Sequence, residues 1–217
     1  MSKDTTRERD YWNSFYATHK SSVPSQFCAL FAVENNTAAV VVEFGCGNGR
    51  DSMFLAQLGY NVRAFDLSEN AIENNSHQAD GIDTVSFETC DVSETESVIA
   101  KIEAVKAEFP DLKIAIYTRF FLHSLDDEQE LAFLTALSRS LQPGDQLFFE
   151  FRSMEDAHQD KVFGSHYRRY VVVDDLIKTL ENKFDFKVTY SIVGQGMAKF
   201  HSEDPFVARI FAEKKTV

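Results

Sequence analysis

The sequence predicts an α/β fold: a seven-stranded, mostly parallel sheet with helices on both faces and an antiparallel last strand. Three observations predict it. Short β-branched and aromatic runs alternate with helical stretches along most of the chain, the order that builds parallel strands through helical crossovers. The early runs end at glycines or acids, as buried strands do where they turn into a loop. The last two runs follow one another with no helical stretch between them, which makes an antiparallel final pair.

Each element has a local reason. Residues 6–18 read as a helix in which Tyr11 and Phe15, and Trp12 and Tyr16, stand four apart and share faces. Ser21 to Ser25, with Pro24, breaks it, and a second helix starts near Ser25 with Phe27, Leu30 and Phe31 on one side. The first strand, 40–44, is Val-Val-Val-Glu-Phe and runs into glycines. A helix over 52–58 closes at Gly59. Strand 61–66 ends at Asp66, and Ser68 can cap the next helix. Strand 85–90 ends at Asp91, and a polar helix fits 94–108. After strand 113–118, Asp126 and Gln129 resemble a capping box. It opens a helix with Leu131, Leu134, Leu137 and Leu141 inward, stopped by Pro143-Gly144. Strand 145–151, a helix over 174–180 and strands 186–193 and 207–212 complete the count.

Composition narrows the function. With 217 residues, 44% of them hydrophobic, the chain suits one core and a single domain, 1–217. A net charge of −12 repels phosphate backbones, so no nucleic-acid partner is expected, while a local basic cluster could still take a small anion. The three cysteines, Cys28, Cys46 and Cys90, form no CxxC pair, so no metal site is expected and a reducing cytoplasm is the simplest setting. The polar N-terminus lacks the apolar stretch of a signal peptide, and no window is long and apolar enough for a membrane span.

The loop after the first strand carries the chemistry. Glu43-Phe44-Gly45-Cys46-Gly47-Asn48-Gly49 lies where open α/β sheets bind ligands, outside the carboxyl ends of the strands. Glycines admit close backbone approach and positive φ, and amides at the helix start are open to an anion. A dinucleotide fingerprint, Gly-x-Gly-x-x-Gly, would need its third glycine at Arg50 or Ser52, so NAD and FAD are disfavoured.

The spacing Gly-x-Gly-x-Gly with an acid two residues ahead resembles the class I S-adenosylmethionine (SAM)-dependent methyltransferases, from about residue 40 to 151. The resemblance implies a Rossmann-like core over 36–217 and SAM as cofactor. Its loop, Gly45, Cys46, Gly47 and Gly49 with Arg50, would wrap the amino-acid end of SAM, and Glu43 would orient the loop or meet the ammonium. Asp66 would take the ribose hydroxyls, with Leu67 and Ser68 beside it, and Asp91 and Val92 would hold the adenine. Residues 1–35 look like the covering helices of small-molecule members, with Trp12 and Tyr16 over the cofactor and Tyr11 towards the substrate. The competing reading of these acids is that they cap helices.

The resemblance puts the reacting centre after the fourth strand, at Arg119, Phe120 and His123. The Asn/Asp-Pro-Pro-Tyr/Phe signature of amino-group methyltransferases is missing there, which lowers the case for exocyclic amines. His123, His166 and Tyr167 are candidate bases for a hydroxyl acceptor, although His123 could instead pack on the sheet. A basic run, His166-Tyr167-Arg168-Arg169, stands out in an acidic chain. With Arg119 and Arg152 it could hold an anionic acceptor, or its arginines could pair with surface acids. The expected activity is methylation of a hydroxyl, carboxylate or phosphate oxygen of a small anion. The alternatives are a small-molecule N- or S-methyltransferase and a SAM-binding module without turnover.

Overall fold

The computed structural model describes residues 5–18, 23–35, 39–159, 161 and 167–216. The elements run α1 (Thr5–Thr18), α2 (Gln26–Glu34), β1 (Ala39–Phe44), α3 (Arg50–Gln57), β2 (Val62–Asp66), α4 (Glu69–Gln78), β3 (Val85–Thr89), α5 (Thr95–Glu108), β4 (Lys113–Arg119), α6 (Asp127–Ser140), β5 (Gln146–Arg152), α7 (Val173–Lys183), β6 (Phe186–Gly194) and β7 (Val207–Lys214). Short 3₁₀ turns at Leu122–Ser124 and Met154–His158 follow β4 and β5.

The seven strands form one sheet in the order β3-β2-β1-β4-β5-β7-β6. Pairs among the first five strands are parallel, and β7 is antiparallel to both neighbours, β5 and β6. The expected fold class is the observed one.

β1 is buried at every position because both faces are covered. Val40, Val42 and Phe44 join the core beneath α5, α6 and α7. Val41 joins a second core with Phe27 and Phe31 of α2 and Leu55 of α3. α5 is polar in composition yet buries Val98, Ile102 and Val105 along one stripe. α6 has the expected capping box at Asp126 and Gln129. Of the four leucines expected inward, Leu134, Leu137 and Leu141 are buried and Leu131 is 45% exposed. Phe133 is buried instead, packed edge-on against Phe44 and Phe121.

Strand order reverses between β1 and β4, so the connections leaving their carboxyl ends diverge to opposite faces and open a crevice. The loops after β1, β2, β3, β4 and β5 all reach this end of the sheet.

Candidate active site

A cavity of about 650 Å³ occupies the crevice. Its walls include Glu43, Gly45, Cys46, Gly47, Arg50, Asp66, Leu67, Asp91 and Val92 at one end. Arg119, Phe120, His123, Arg152 and Arg168 line the other. Residues from Trp12 to Pro205 thus meet in one space.

The glycine loop is shaped by close approach. Gly45 and Gly47 have φ of 76° and 53°, and a Cβ on either would lie 2.5 Å from Phe121 Cδ2 or Tyr16 Oη respectively. The amides of Gly45 and Cys46 donate to the Phe65 carbonyl at 2.8 and 3.1 Å, and that of Gly49 donates to the Cys46 carbonyl at 3.0 Å. The Gly47 amide donates to Asp66 Oδ2 at 2.8 Å. The Gly45, Cys46 and Gly47 amides hold the loop on β2 and the Gly49 amide closes the loop on itself, so these four are not the open amides expected. The loop's contribution is close approach: the Phe121 and Tyr16 side chains lie where a Cβ would stand.

Asp66 is buried, and its Oδ1 accepts from the Ser68 amide at 2.9 Å. Burial raises its pKa, and the backbone donors oppose the rise. Ser68 caps α4 by accepting from the Ala71 amide, and its hydroxyl donates to Asn13 Oδ1 at 2.7 Å, docking α1 on α4. It does not line the cavity, and neither does Gly49, whose α-carbon packs on Asn75. Trp12, Phe15 and Tyr16 do line it. Trp12 and Tyr16 stack at 5.8 Å, so α1 covers the loop with an aromatic plate. Tyr11 lies outside the lining, against Trp12 and Phe15.

Beneath the loop sits an acidic pair. Glu43 accepts from the Ser52 hydroxyl, and burial together with the neighbouring Asp51 charge pushes its carboxyl up to about 8. Asp51 accepts from the Ser25 amide (2.7 Å), the Ser25 hydroxyl (2.6 Å) and the Tyr117 hydroxyl (2.8 Å). One carboxylate therefore pins the start of α2, the start of α3 and β4 together. The sequence reading missed it, because Ser25 and Tyr117 lie 26 and 66 residues away in the chain.

Arginines meet in two like-charge pairs. Arg50 has its pKa lowered by burial and by Arg119, with Asp51 Oδ1 3.8 Å from its Nε. Arg119 Nε donates to Glu150 Oε1 at 3.1 Å, and Arg209 Nε holds Glu150 Oε2 at 2.8 Å. Arg168 has its pKa lowered by burial and by Arg152. Arg152 lines the cavity but is ion-paired through both terminal nitrogens, to Asp156 at 2.7 Å and to Glu203. Between the pairs lies Phe120, in the left-handed region at φ 53°, with the Arg119 and Arg152 guanidiniums 4.3 and 5.2 Å from its ring centre. A non-glycine residue held there stores strain, which clusters at binding sites.

Not every predicted residue comes to this space. Arg169 is ion-paired to Asp127 and Glu130 of α6, away from the cavity. Its neighbour Arg168, in the same irregular segment, lines the cavity instead. Tyr167 is 45% exposed and outside the lining. His166 lies outside the described residues. His123 is buried and lines the cavity, and its Nδ1 accepts the Arg152 amide at 3.1 Å.

The fold matches that of known proteins. Residues 5–104 match the family model of the tellurite resistance protein TehB. A SAM-dependent methyltransferase from Anabaena variabilis superposes with a TM-score of 0.71 at 17% identity, over 99% of this chain and 96% of that one. The chain thus has the fold of solved SAM-dependent methyltransferases. Magnesium protoporphyrin IX methyltransferase from Synechocystis, solved with bound S-adenosylhomocysteine (SAH), has this methyltransferase fold too, with a TM-score of 0.67 at 17% identity over 98% and 100% of the two chains. The glycopeptide N-methyltransferase MtfA with SAH gives 0.62 at 13% identity over 98% of each chain. No curated protein matches the sequence.

Proposed function

We propose that this methyltransferase binds SAM along the acidic end of the cavity and methylates an already ionised oxygen of a small anion at the basic end. The observation that carries the reading is Arg168 at the cavity wall: burial and the neighbouring Arg152 charge lower its pKa, and an acceptor anion beside it opposes both effects.

The cofactor end fits SAM by its donor chemistry. Asp66 accepts the Gly47 amide on Oδ2 and the Ser68 amide on Oδ1, and a carboxylate so placed keeps lone-pair capacity for a ribose hydroxyl. Asp91 and Val92 line the next stretch, where the adenine belongs. Glu43 and Asp51 offer negative charge to the ammonium, and Arg50 offers a fork to the carboxylate. SAM supplies a methyl group already activated by its sulfonium. The chain's residues need only orient the partners in line and exclude water, and the Trp12, Phe15 and Tyr16 cover suits the second task.

His123 supports an ionised acceptor. Because Nδ1 accepts an amide proton, the neutral ring carries its own proton on Nε2 and donates from there. A residue wired as a donor does not deprotonate a hydroxyl, whereas a carboxylate or phosphate oxygen needs no base. The same arginines repel a protonated amine. The TehB match ends at residue 104, before Arg119, His123, Arg152 and Arg168, so the basic end is read from geometry. A cytoplasmic setting without nucleic acid belongs to the same reading and rests on three buried free cysteines and the −12 charge. Among the described residues, no helix is long and apolar enough to cross a membrane.

The test is SAH release over a panel of carboxylates, phosphate esters, hydroxyl compounds, amines and thiols. Turnover is expected for anions, with Arg168→Ala raising the acceptor KM roughly tenfold or more and leaving SAH affinity unchanged. Turnover confined to amines or thiols refutes the acceptor assignment. SAH binding with no product from any compound favours the binding module.

A further inference from the structure

The connection between β6 and β7 ends in a two-residue hairpin beside the basic end of the cavity. The Phe200 amide donates to the Glu203 carbonyl and the Glu203 amide to the Phe200 carbonyl, both at 2.9 Å. His201 and Ser202 therefore form the corner, and His201 takes the first corner position with φ 52°. Hairpin corners demand positive φ there, and glycine, asparagine or aspartate meets that demand with little steric conflict. Histidine does not belong to that set.

The corner is also held firmly. Glu203 is buried and ion-paired to Arg152, whose other nitrogen donates to the fully buried Asp156 at 2.7 Å. Asp156 in turn accepts the Phe206 amide at 2.9 Å. This chain of contacts fastens the Glu203 side of the hairpin, and the strand entry that follows it, to β5. At its tip, the His201 ring stands edge-on to Phe200 with centroids 4.3 Å apart, and both residues line the cavity that holds His123 and Arg168. A strained backbone, a fixed mount and a polar ring facing the basic end coincide at one residue.

We infer that His201 is a specificity-determining residue, whose imidazole donates a hydrogen bond to the anionic group of the acceptor. The inference rests on the anionic-acceptor reading and deepens it: the acceptor is gripped from the β6–β7 side as well as from Arg168. Strain is tolerated at the corner because the side chain it presents is needed there.

The experiment uses the full chain saturated with SAH and titrates inorganic phosphate as the anion probe by calorimetry. His201→Gly removes the imidazole and relaxes the corner, and His201→Asn keeps a donor that tolerates positive φ. His201→Gly is expected to weaken phosphate roughly tenfold, to leave SAH affinity within about twofold, and not to lower Tm. His201→Asn is expected to recover part of the loss. Arg168→Ala reports separately on the anionic site. Unchanged phosphate affinity in His201→Gly, with loss in Arg168→Ala, overturns the role of His201 and leaves the anionic site standing. Parallel loss of phosphate and SAH affinity, or a lowered Tm, assigns His201 a structural role and overturns the inference as well. Wild-type protein that binds no phosphate removes the anionic site and this inference together.

Discussion

Protonation of Glu43 should govern cofactor affinity across the neutral range. Its carboxyl stands at about 8 because burial and the Asp51 charge both disfavour the ionised form. A bound cation alongside favours ionisation, so binding must expel the proton. The affinity of SAH, which keeps the ammonium, therefore rises with pH and levels off above about 8. Between the bound and free pKa values the slope is one decade per pH unit. At pH 6, two units below the free value of about 8, the loss reaches about 100-fold, or about 2.7 kcal/mol, if the bound value falls to about 5 or lower. Calorimetry from pH 6 to 9, in two buffers of different ionisation enthalpy, measures both affinity and proton release. Release approaching about one proton per SAH near pH 7 is expected, and none from Glu43→Gln. A flat affinity profile with no buffer-dependent enthalpy would refute the placement of a cation beside Glu43.

Four further outcomes follow from the same geometry. The raised Glu43 value means that the folded chain holds a proton that the unfolded chain loses above its ordinary 4.5, so stability falls as pH rises from there to about 8; Glu43→Gln should therefore gain Tm over wild type from pH 5 to pH 8 in paired melts. Gly47→Ala places a Cβ 2.5 Å from Tyr16 Oη at φ 53°; it should cost about 1–2 kcal/mol in denaturant unfolding and weaken SAH more than about tenfold. Asp66→Asn replaces one acceptor oxygen with a donor facing the Gly47 or Ser68 amide, and SAH titration should show a loss of about 10- to 100-fold. Asp126→Ala removes the capping box of α6 and should lower Tm by roughly 2–4 °C without altering SAH affinity.

The sheet was legible because its signals are local. Val40, Val41 and Val42 announce a strand buried on both faces, and Asp126 with Gln129 announces a helix start through contacts within four residues. The three strand-end acids and the glycine loop were legible for the same reason, since parallel topology brings strand ends together. The Asp51 cluster was hidden, since in the sequence it reads as an acid in the first turn of a helix. Its partners on α2 and β4 become neighbours only through the strand order. Side-chain direction in irregular segments was equally hidden. Arg168 and Arg169 are adjacent in a basic run, yet one lines the cavity and the other pairs with α6. His201 carries no motif, and only the corner conformation sets it apart. On α6, Leu131 and Phe133 fit alternative stripes, and Phe44 and Phe121 decide between them.

The position of β7 bears on how the molecule assembles. It follows β6 in the chain yet lies between β5 and β6, so β6 has no sheet neighbour until β7 has slotted in. The same insertion delivers Arg209 to the second oxygen of Glu150, whose first oxygen restrains Arg119. A nascent chain that has emerged only as far as α7 therefore has the glycine-loop end of the crevice in place but leaves Glu150 with one cation instead of two. Long-range pairing of this kind forms late in folding, which makes the basic half of the crevice the part of the cavity that matures last.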